Sequence, residues 1–185
     1  MTAVPAASAS AAPRKYDVKA GVVTFESVVT VAGVVTRSRI VVSFDDWGAK
    51  ERRDTSRDGR LRETVLSDGR RRFKIDHERN VAWEDGDGAR GTEPRLAWDE
   101  VPARDQAEGR ARRLPPKTIA GRTCEVFEVR DRDGGFSRFA GVAGVVLHAE
   151  VTNDAMTAVT TAVAYEERPA LPAETFELPP IYAGS

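Results

Sequence analysis

Residues 20–45 read AGVVTFESVVTVAGVVTRSRIVVSFD, and this stretch decides the fold class. Two runs rich in β-branched residues, 20–31 and 34–45, flank the dipeptide Ala32-Gly33. The second run places Val34, Thr36, Ser38, Ile40, Val42 and Phe44 at even positions and Arg37, Arg39 and Asp45 at odd positions. Such alternation predicts a strand with one apolar face. Two strands joined by a two-residue turn predict a β-hairpin.

Similar runs continue along the chain, separated by turn signals such as 57–59, 67–69 and 153–154. The further predicted strands span residues 50–55, 61–66, 70–76, 80–84, 122–130, 136–140, 145–152 and 156–165. Helical composition is confined to 95–113, where we expect a short helix after Pro102 and an end at Leu114-Pro115-Pro116. One more helical turn is expected at 173–176. No βαβ rhythm is present, so the strands predict an antiparallel sheet.

Composition and charge exclude several classes of protein. The 185 residues suit one domain, and a formal net charge of −1 gives no overall attraction to nucleic acid. The single cysteine excludes an internal disulfide framework. No apolar run reaches the roughly 18 residues that a transmembrane helix needs.

Residues 1–15, MTAVPAASASAAPRK, are predicted to be a disordered leader or tail, followed by a single domain over 16–185. The residues of the tail support two interpretations equally well. It is either the low-complexity segment that follows a cleaved export signal or the plain tail of a cytosolic protein.

The apolar strand faces must be covered, and only one helix-like segment is available to do so. The sheet therefore either packs on itself as a sandwich or curls into an open half-barrel around a small plug, whose hollow is either vacant or filled. We expect a half-barrel of about 9–11 strands, mainly β with minor α. The residues predicted to line its hydrophobic cavity are Val23, Phe25, Val29, Ile40, Val42, Phe44, Phe73, Ile75, Trp83, Trp98, Phe127, Val129, Leu147, Val163 and Tyr165.

The polar candidates favour structural roles over catalysis or metal binding. Asp45-Asp46, with Glu51 and Asp54 nearby, is typical of a turn, and 84–88 lacks the spacing of a calcium loop. The arginine-rich stretches are 50–62 and 70–72, and the carboxylates Glu51, Asp54, Asp58 and Glu63 lie in or beside the first of them, which is typical of a solvated strand face. We therefore expect no metal and no cofactor.

The two candidate reactive groups lack partners in the sequence. A regular strand would place His148 on one face with Val146 and Glu150, as a surface histidine without a nucleophile to activate. Cys124 at a strand start is expected to be a small buried hydrophobe. We expect no catalytic residue and no enzymatic activity.

Several stretches resemble a domain-of-unknown-function family of bacterial envelope proteins. They are YDVKAGVVTFES (16–27), VVSFDDWGAKERRDTS (41–56), VLSDGRRRFKIDHERNVAW (65–83), TIAGRTCEVFEV (118–129), AGVVLHAEV (143–151) and FELPPIY (176–182). More distantly, the chain resembles the lipoprotein-carrier superfamily of LolA and LolB. It departs from LolA in lacking the long N-terminal helix and in carrying a charged insertion at 84–113, and no lipoprotein-binding arginine can be assigned.

The resemblance implies a LolA-like open half-barrel with an apolar cavity, located in the periplasm or at the cell surface. The function expected first is therefore the binding of a lipid acyl chain or another hydrophobic molecule. The alternative is a structural or protein-interaction module of the envelope that docks through its edge strands or through 84–113. Neither function involves nucleic acid or a transmembrane segment.

Overall fold

The computed structural model describes residues 14–88 and 91–182, and these form one curved, open antiparallel sheet of eleven strands. The strands are β1 Gly21–Val31, β2 Val34–Asp45, β3 Lys50–Arg57, β4 Arg60–Ser67, β5 Arg71–Asp76, β6 Val81–Asp87, β7 Ala111–Ile119, β8 Arg122–Arg130, β9 Phe136–Val142, β10 Val145–Thr152 and β11 Met156–Glu167. Their order across the sheet is β6-β5-β4-β3-β2-β1-β11-β10-β9-β8-β7. The central β1–β11 pairing therefore joins the two halves of the chain.

Helices are short. The α-helix α1 spans Ala103–Ala107, directly after Pro102 as predicted, and 3₁₀ turns span Asp46–Gly48, Trp98–Glu100, Ala173–Phe176 and Pro180–Tyr182. In the described part of the chain, none of these helices has the length and apolar character needed to cross a membrane. The predicted tail falls mostly outside the described residues, which begin at Arg14.

The strand pattern read from the sequence is confirmed, with one omission. The strand β7 spans Ala111–Ile119 and runs through Pro115 and Pro116, where the sequence predicted the end of the segment with helical composition. That prediction was wrong because β7 is an edge strand. Its pairing register with β8 shifts between Leu114 and Lys117, so the two prolines interrupt few ladder hydrogen bonds.

The register defines two faces of the sheet. Val23 lies opposite Val42 and Tyr165, and Phe25 lies opposite Ile40 and Ala162. We call this face the inner face and the other the outer face. The buried residues of the central core are Tyr16, Val23, Phe25, Ile40, Val42, Phe44, Ile119, Cys124, Val126, Ala140, Val145, Leu147 and Ala162, and the partly buried Tyr165 packs against them.

The apolar side of the sheet changes face between β2 and β5. Phe44 lies opposite Glu51, Glu51 opposite Ser67 and Ser67 opposite Arg72, so polar residues continue the inner face here. Leu66 and Phe73 consequently lie on the outer face. The C-terminal segment covers them there, since Phe176 is buried against both.

Residues 91–102, which we call the cover segment, lie across the inner face of β8–β10. The backbone N–H of Leu96 donates to the carbonyl of Gly144 at 2.8 Å. The ring centroid of Trp98 lies 5.7 Å from that of Phe127, and Val101 is buried in the same cluster. This segment takes the place of the helical plug that the sequence predicted.

Candidate functional site: an apolar cavity beneath the cover segment

The first of two cavities lies between the cover segment and strands β8–β10. Its volume is about 260 Å³. The lining is almost wholly apolar and consists of Pro94, Arg95, Leu96, Ala97, Val101, Pro102, Phe127, Val129, Phe139 and Val146. A concave, largely apolar lining with few polar groups is the usual character of a small-molecule site.

A second cavity of about 160 Å³ adjoins the first. It is lined by Phe25, Ile40, Arg53, Glu93, Pro94, Phe139, Val146, Ala149 and Thr160. Pro94, Phe139 and Val146 line both cavities. We therefore treat the two as one site, the inner cavity, which extends from the middle of the sheet towards β8.

One end of the inner cavity is charged. Arg53 donates a hydrogen bond from its guanidinium to the Glu93 carboxylate, and both side chains line the second cavity. Burial raises the pKa of Glu93, and the neighbouring Arg53 opposes this shift. An apolar cavity with an ion pair at one end suits an amphiphile better than a pure hydrocarbon.

A buried carboxylate, Glu51, holds the cover segment against the sheet. Its side chain is fully buried, and its Oε1 accepts hydrogen bonds from Lys15 Nζ and the Tyr16 hydroxyl, both at 2.6 Å. Its Oε2 accepts hydrogen bonds from the backbone N–H groups of Thr92 and Glu93. Burial and the Glu51 charge together raise the pKa of Tyr16 well above its ordinary value. We call this group the Glu51 latch because it joins the N-terminal segment, β3 and the cover segment.

The structure distributes the predicted cavity residues over several places. Phe25, Ile40, Phe127 and Val129 line the inner cavity. Trp98 packs from the cover segment onto Phe127. Four more of the predicted residues belong to the packed central core: Val23, Val42, Phe44 and Leu147. The predicted residue Tyr165 packs against this core.

The other predicted residues lie away from the inner cavity. Phe73 and Trp83 line a separate, more polar cleft of about 520 Å³ beneath the C-terminal segment. Ile75, paired with Thr64, shares the outer face with Phe73. Val29 is half-buried in the projecting part of β1, and Val163 is 49% exposed at a bulge in β11. The change of apolar face explains the placement of Phe73 and Ile75, and the bulge explains that of Val163, because each breaks the simple alternation used for the prediction. Val29 keeps its face but lies in the projecting hairpin, and Trp83 lies on the edge strand β6.

Sequence reasoning missed Pro94, Phe139 and Val146, the three residues that line both cavities. Phe139 lies directly opposite Phe127 on the neighbouring strand, and such cross-strand aromatic pairs stabilise sheets. Phe139 lies in the predicted strand 136–140, and pairing of that strand with the preceding one, 122–130, could have identified it as a lining residue. Pro94 sits in a segment without periodicity, so no pattern indicated it.

A β-bulge at Leu147 corrects the prediction for His148. Val146 lies opposite Gly141 and His148 opposite Ala140, so the extra residue puts Val146 and His148 on opposite faces. The histidine is also buried, at 8% exposure, and its Nδ1 lies 2.8 Å from the Thr161 hydroxyl. Burial lowers its pKa, aided by Lys117. The prediction of a surface histidine was therefore wrong.

Cys124 is fully buried, as predicted, and burial raises the pKa of its thiol. Its Sγ lies 3.4 Å from the carbonyl oxygen of Arg122, a backbone acceptor rather than a base. The side chain therefore lacks the electropositive, exposed setting that activates a thiol. Within ranges 14–88 and 91–182, no group of three or more His, Cys, Asp or Glu side chains is placed to hold a metal ion.

A second buried carboxylate stabilises the far half of the sheet. The Glu128 side chain is 2% exposed and accepts hydrogen bonds from Arg112, Arg130 and Arg138. The hydrogen bond from Arg138 contributes most to lowering its pKa, from 4.5 to about 2. The carboxylate is thus held ionised between β7, β8 and β9.

This lowered pKa predicts an acid-dependent loss of stability. A carboxyl with a depressed folded pKa stabilises the protein above its unfolded value near 4.5, and that contribution disappears as pH falls towards 2. Because solvent reaches the three arginines, we expect a loss of about 1.5 kcal/mol rather than the full electrostatic value. Urea unfolding measured at steps from pH 6 down to pH 2.5 checks this. The Glu128→Gln variant should show a shallower slope in this window, and equal slopes would contradict the assignment.

No protein-family model matches the sequence, and no curated protein matches it. Solved structures do match the fold. An uncharacterized conserved protein from Thermus thermophilus aligns over 88% of this chain and 86% of its own, with a TM-score of 0.56 and 8% identity. A LolA superfamily protein from Nitrosomonas europaea aligns over 91% of this chain and 94% of its own, with a TM-score of 0.43 and 12% identity.

The first of these matches shows that the fold of this chain recurs in a solved structure. A further match is a chain of the Pseudomonas aeruginosa MucA/MucB complex, with a TM-score of 0.49 and 16% identity over 91% of this chain and 58% of that one. At these identities the matches bear on the fold, so the function must be argued from the site.

Proposed function

We propose that this chain is a non-enzymatic binding protein of the cell envelope that holds a lipid acyl chain, or another hydrophobic molecule, in the inner cavity. The observation that carries the proposal is the pair of adjoining apolar cavities between the sheet and the cover segment. Burial of apolar surface contributes about 25 cal/mol per Å², which makes such a lining an effective site for a hydrocarbon chain.

The position of the charges supports an amphiphilic ligand. The hydrocarbon part would lie along Phe139 and Val146, which line both cavities. The Arg53–Glu93 pair lies at the end of the site nearest β3 and can exchange hydrogen bonds with a polar headgroup. A carboxylate or phosphate would then compete with Glu93 for the Arg53 guanidinium.

The same geometry favours binding over catalysis. General acid–base chemistry needs a positioned, accessible group with a suitable pKa. His148 and Cys124 are both buried, and neither lines the inner cavity. The two charged groups at the cavity end are paired with each other, which suits recognition.

Titration with fluorescent fatty acids tests the proposed function. The wild-type protein should bind one acyl chain per molecule, and affinity should rise with chain length until the cavity is filled. Unlabelled fatty acid should displace the probe. Absence of binding at every chain length, or an affinity independent of chain length, would contradict the proposal.

A protein-interaction role is the second candidate, and the edge strand β6 favours it. One side of β6 has no neighbouring strand among the described residues, and Trp83 on this strand is 43% exposed. An exposed edge can pair with a strand of another protein. Cross-linking from position 81, which is also exposed on β6, in cell-envelope extracts would identify such a partner. Loss of the cross-link with Trp83→Ala, but not with the exposed Leu61→Ala, would support this role.

A further inference from the structure

The β1–β2 hairpin projects beyond the neighbouring strand β3. Pairing between β2 and β3 begins only at Arg39 and Ser56, so residues 34–38 extend past the end of that ladder. The tip exposes large apolar side chains: Val31 is 47% exposed, Val34 68% and Val35 47%. Ala32 and Gly33 complete five consecutive small or apolar residues at the tip. Contiguous exposed apolar surface of this kind marks an interaction site.

The inner face of the projecting part carries no charge. Cross-strand pairing places nine uncharged residues there in three rows: Ser27, Ser38 and Thr160; Val29, Thr36 and Ala158; and Val31, Val34 and Met156. We call this surface the hairpin strip. Its first row reaches the inner cavity, because Thr160 lines that cavity beside Phe25 and Ile40.

The outer face of the same hairpin is basic. Arg37 and Arg39 are exposed there, and the adjacent β3–β4 turn adds exposed Arg57 and Arg60. The nearby exposed carboxylates are Glu26, Asp58 and Asp154, the last in the β10–β11 turn beside the tip, so the four arginines still outnumber the carboxylates there. An apolar tip bordered by arginines complements an anionic lipid surface, because such a surface attracts basic residues that lie close to it.

We propose that the β1–β2 hairpin tip docks onto an anionic lipid bilayer and that the hairpin strip guides an acyl chain between the bilayer and the inner cavity. The docking stands on the exposed valines and the arginines. The guiding step rests on the proposed function. A second copy of this chain fits the tip less well, because it would bring the same arginines together.

Only the turn and its flanking valines need to leave water. Val31 and Val34 pair with each other at the end of the hairpin. Their backbone groups can therefore be satisfied within the tip, as a lipid environment requires. The outward side of β2 at Val35 and Arg37 would stay among the headgroups.

Vesicle co-sedimentation tests the docking. Wild-type protein should bind vesicles of equal parts phosphatidylglycerol and phosphatidylethanolamine, and should bind phosphatidylcholine vesicles at least tenfold more weakly. Val34→Ser should weaken binding to the anionic vesicles roughly tenfold, because one valine leaves the lipid. Ile181→Ser is the matched control, since Ile181 is also 68% exposed but lies in the C-terminal segment. It should leave binding unchanged.

Parallel titration with a fluorescent fatty acid separates this inference from the proposed function. Docking is supported if Val34→Ser loses vesicle binding and keeps fatty-acid binding. Failure of the wild type to bind either kind of vesicle overturns docking, whatever its fatty-acid affinity. Docking is also overturned if sedimentation equilibrium shows a dimer that Val34→Ser disrupts and if this dimer binds no vesicles. Vesicle binding without fatty-acid binding would leave docking standing and contradict the proposed function and the guiding step.

Discussion

Replacement of Glu51 by alanine should lower the free energy of unfolding by about 4 kcal/mol, which we expect to be the largest effect of any single polar substitution. The carboxylate is fully buried and accepts hydrogen bonds from Lys15, from Tyr16 and from the backbone of the cover segment. Its removal leaves the Lys15 ammonium, 14% exposed, without its partner. The loss therefore combines an unpaired charge with unsatisfied donors.

Urea unfolding of Glu51→Ala and of a control measures this effect. The control is Glu63→Ala, because Glu63 pairs with Lys74 at 2.7 Å but is 38% exposed, and surface pairs contribute at most about 1 kcal/mol. Amide hydrogen exchange should also accelerate at Thr92 and Glu93 in Glu51→Ala. A destabilisation no greater than that of the control would contradict the role of the Glu51 latch.

The sheet could be predicted because its signals are local. Alternation in β2 and the two-residue turn at Ala32-Gly33 fix both the hairpin and its register. The same holds for the tight turn at Asp58-Gly59, where both residues have positive φ. Each of these features lies within a few residues of chain, where propensity and turn chemistry decide the structure.

The site could be predicted only in part because its geometry is not local. The β-bulge at Leu147 puts Val146 and His148 on opposite faces of the sheet, whereas simple alternation placed them on the same face. The burial of Glu51 depends on the cover segment, some 40 residues away in sequence, and a glutamate in a polar strand gave no sign of it. The switch of apolar face that places Phe73 on the outer side depends on which segment covers each half of the sheet.

Filling the inner cavity should strongly weaken ligand binding without disturbing the fold. Val146 lines both cavities and is only partly buried. A phenylalanine at this position would therefore occupy the junction between the two cavities. Because a ligand would have to displace the new ring or leave part of the site empty, we expect fatty-acid affinity to fall at least tenfold. A milder variant, Ala149→Leu, fills only the second cavity and should shorten the preferred acyl chain.

Val28→Phe is the matched control, because Val28 pairs with Arg37 on the outer face and is 37% exposed. Its fatty-acid affinity should equal that of the wild type. The decisive measurement is the dissociation constant of a long-chain fatty acid for Val146→Phe and Val28→Phe, with both variants shown to be folded by circular dichroism. An acyl chain that lies beneath the cover segment predicts weak binding for Val146→Phe alone. Equal affinity of the two variants would mean that no acyl chain occupies this cavity.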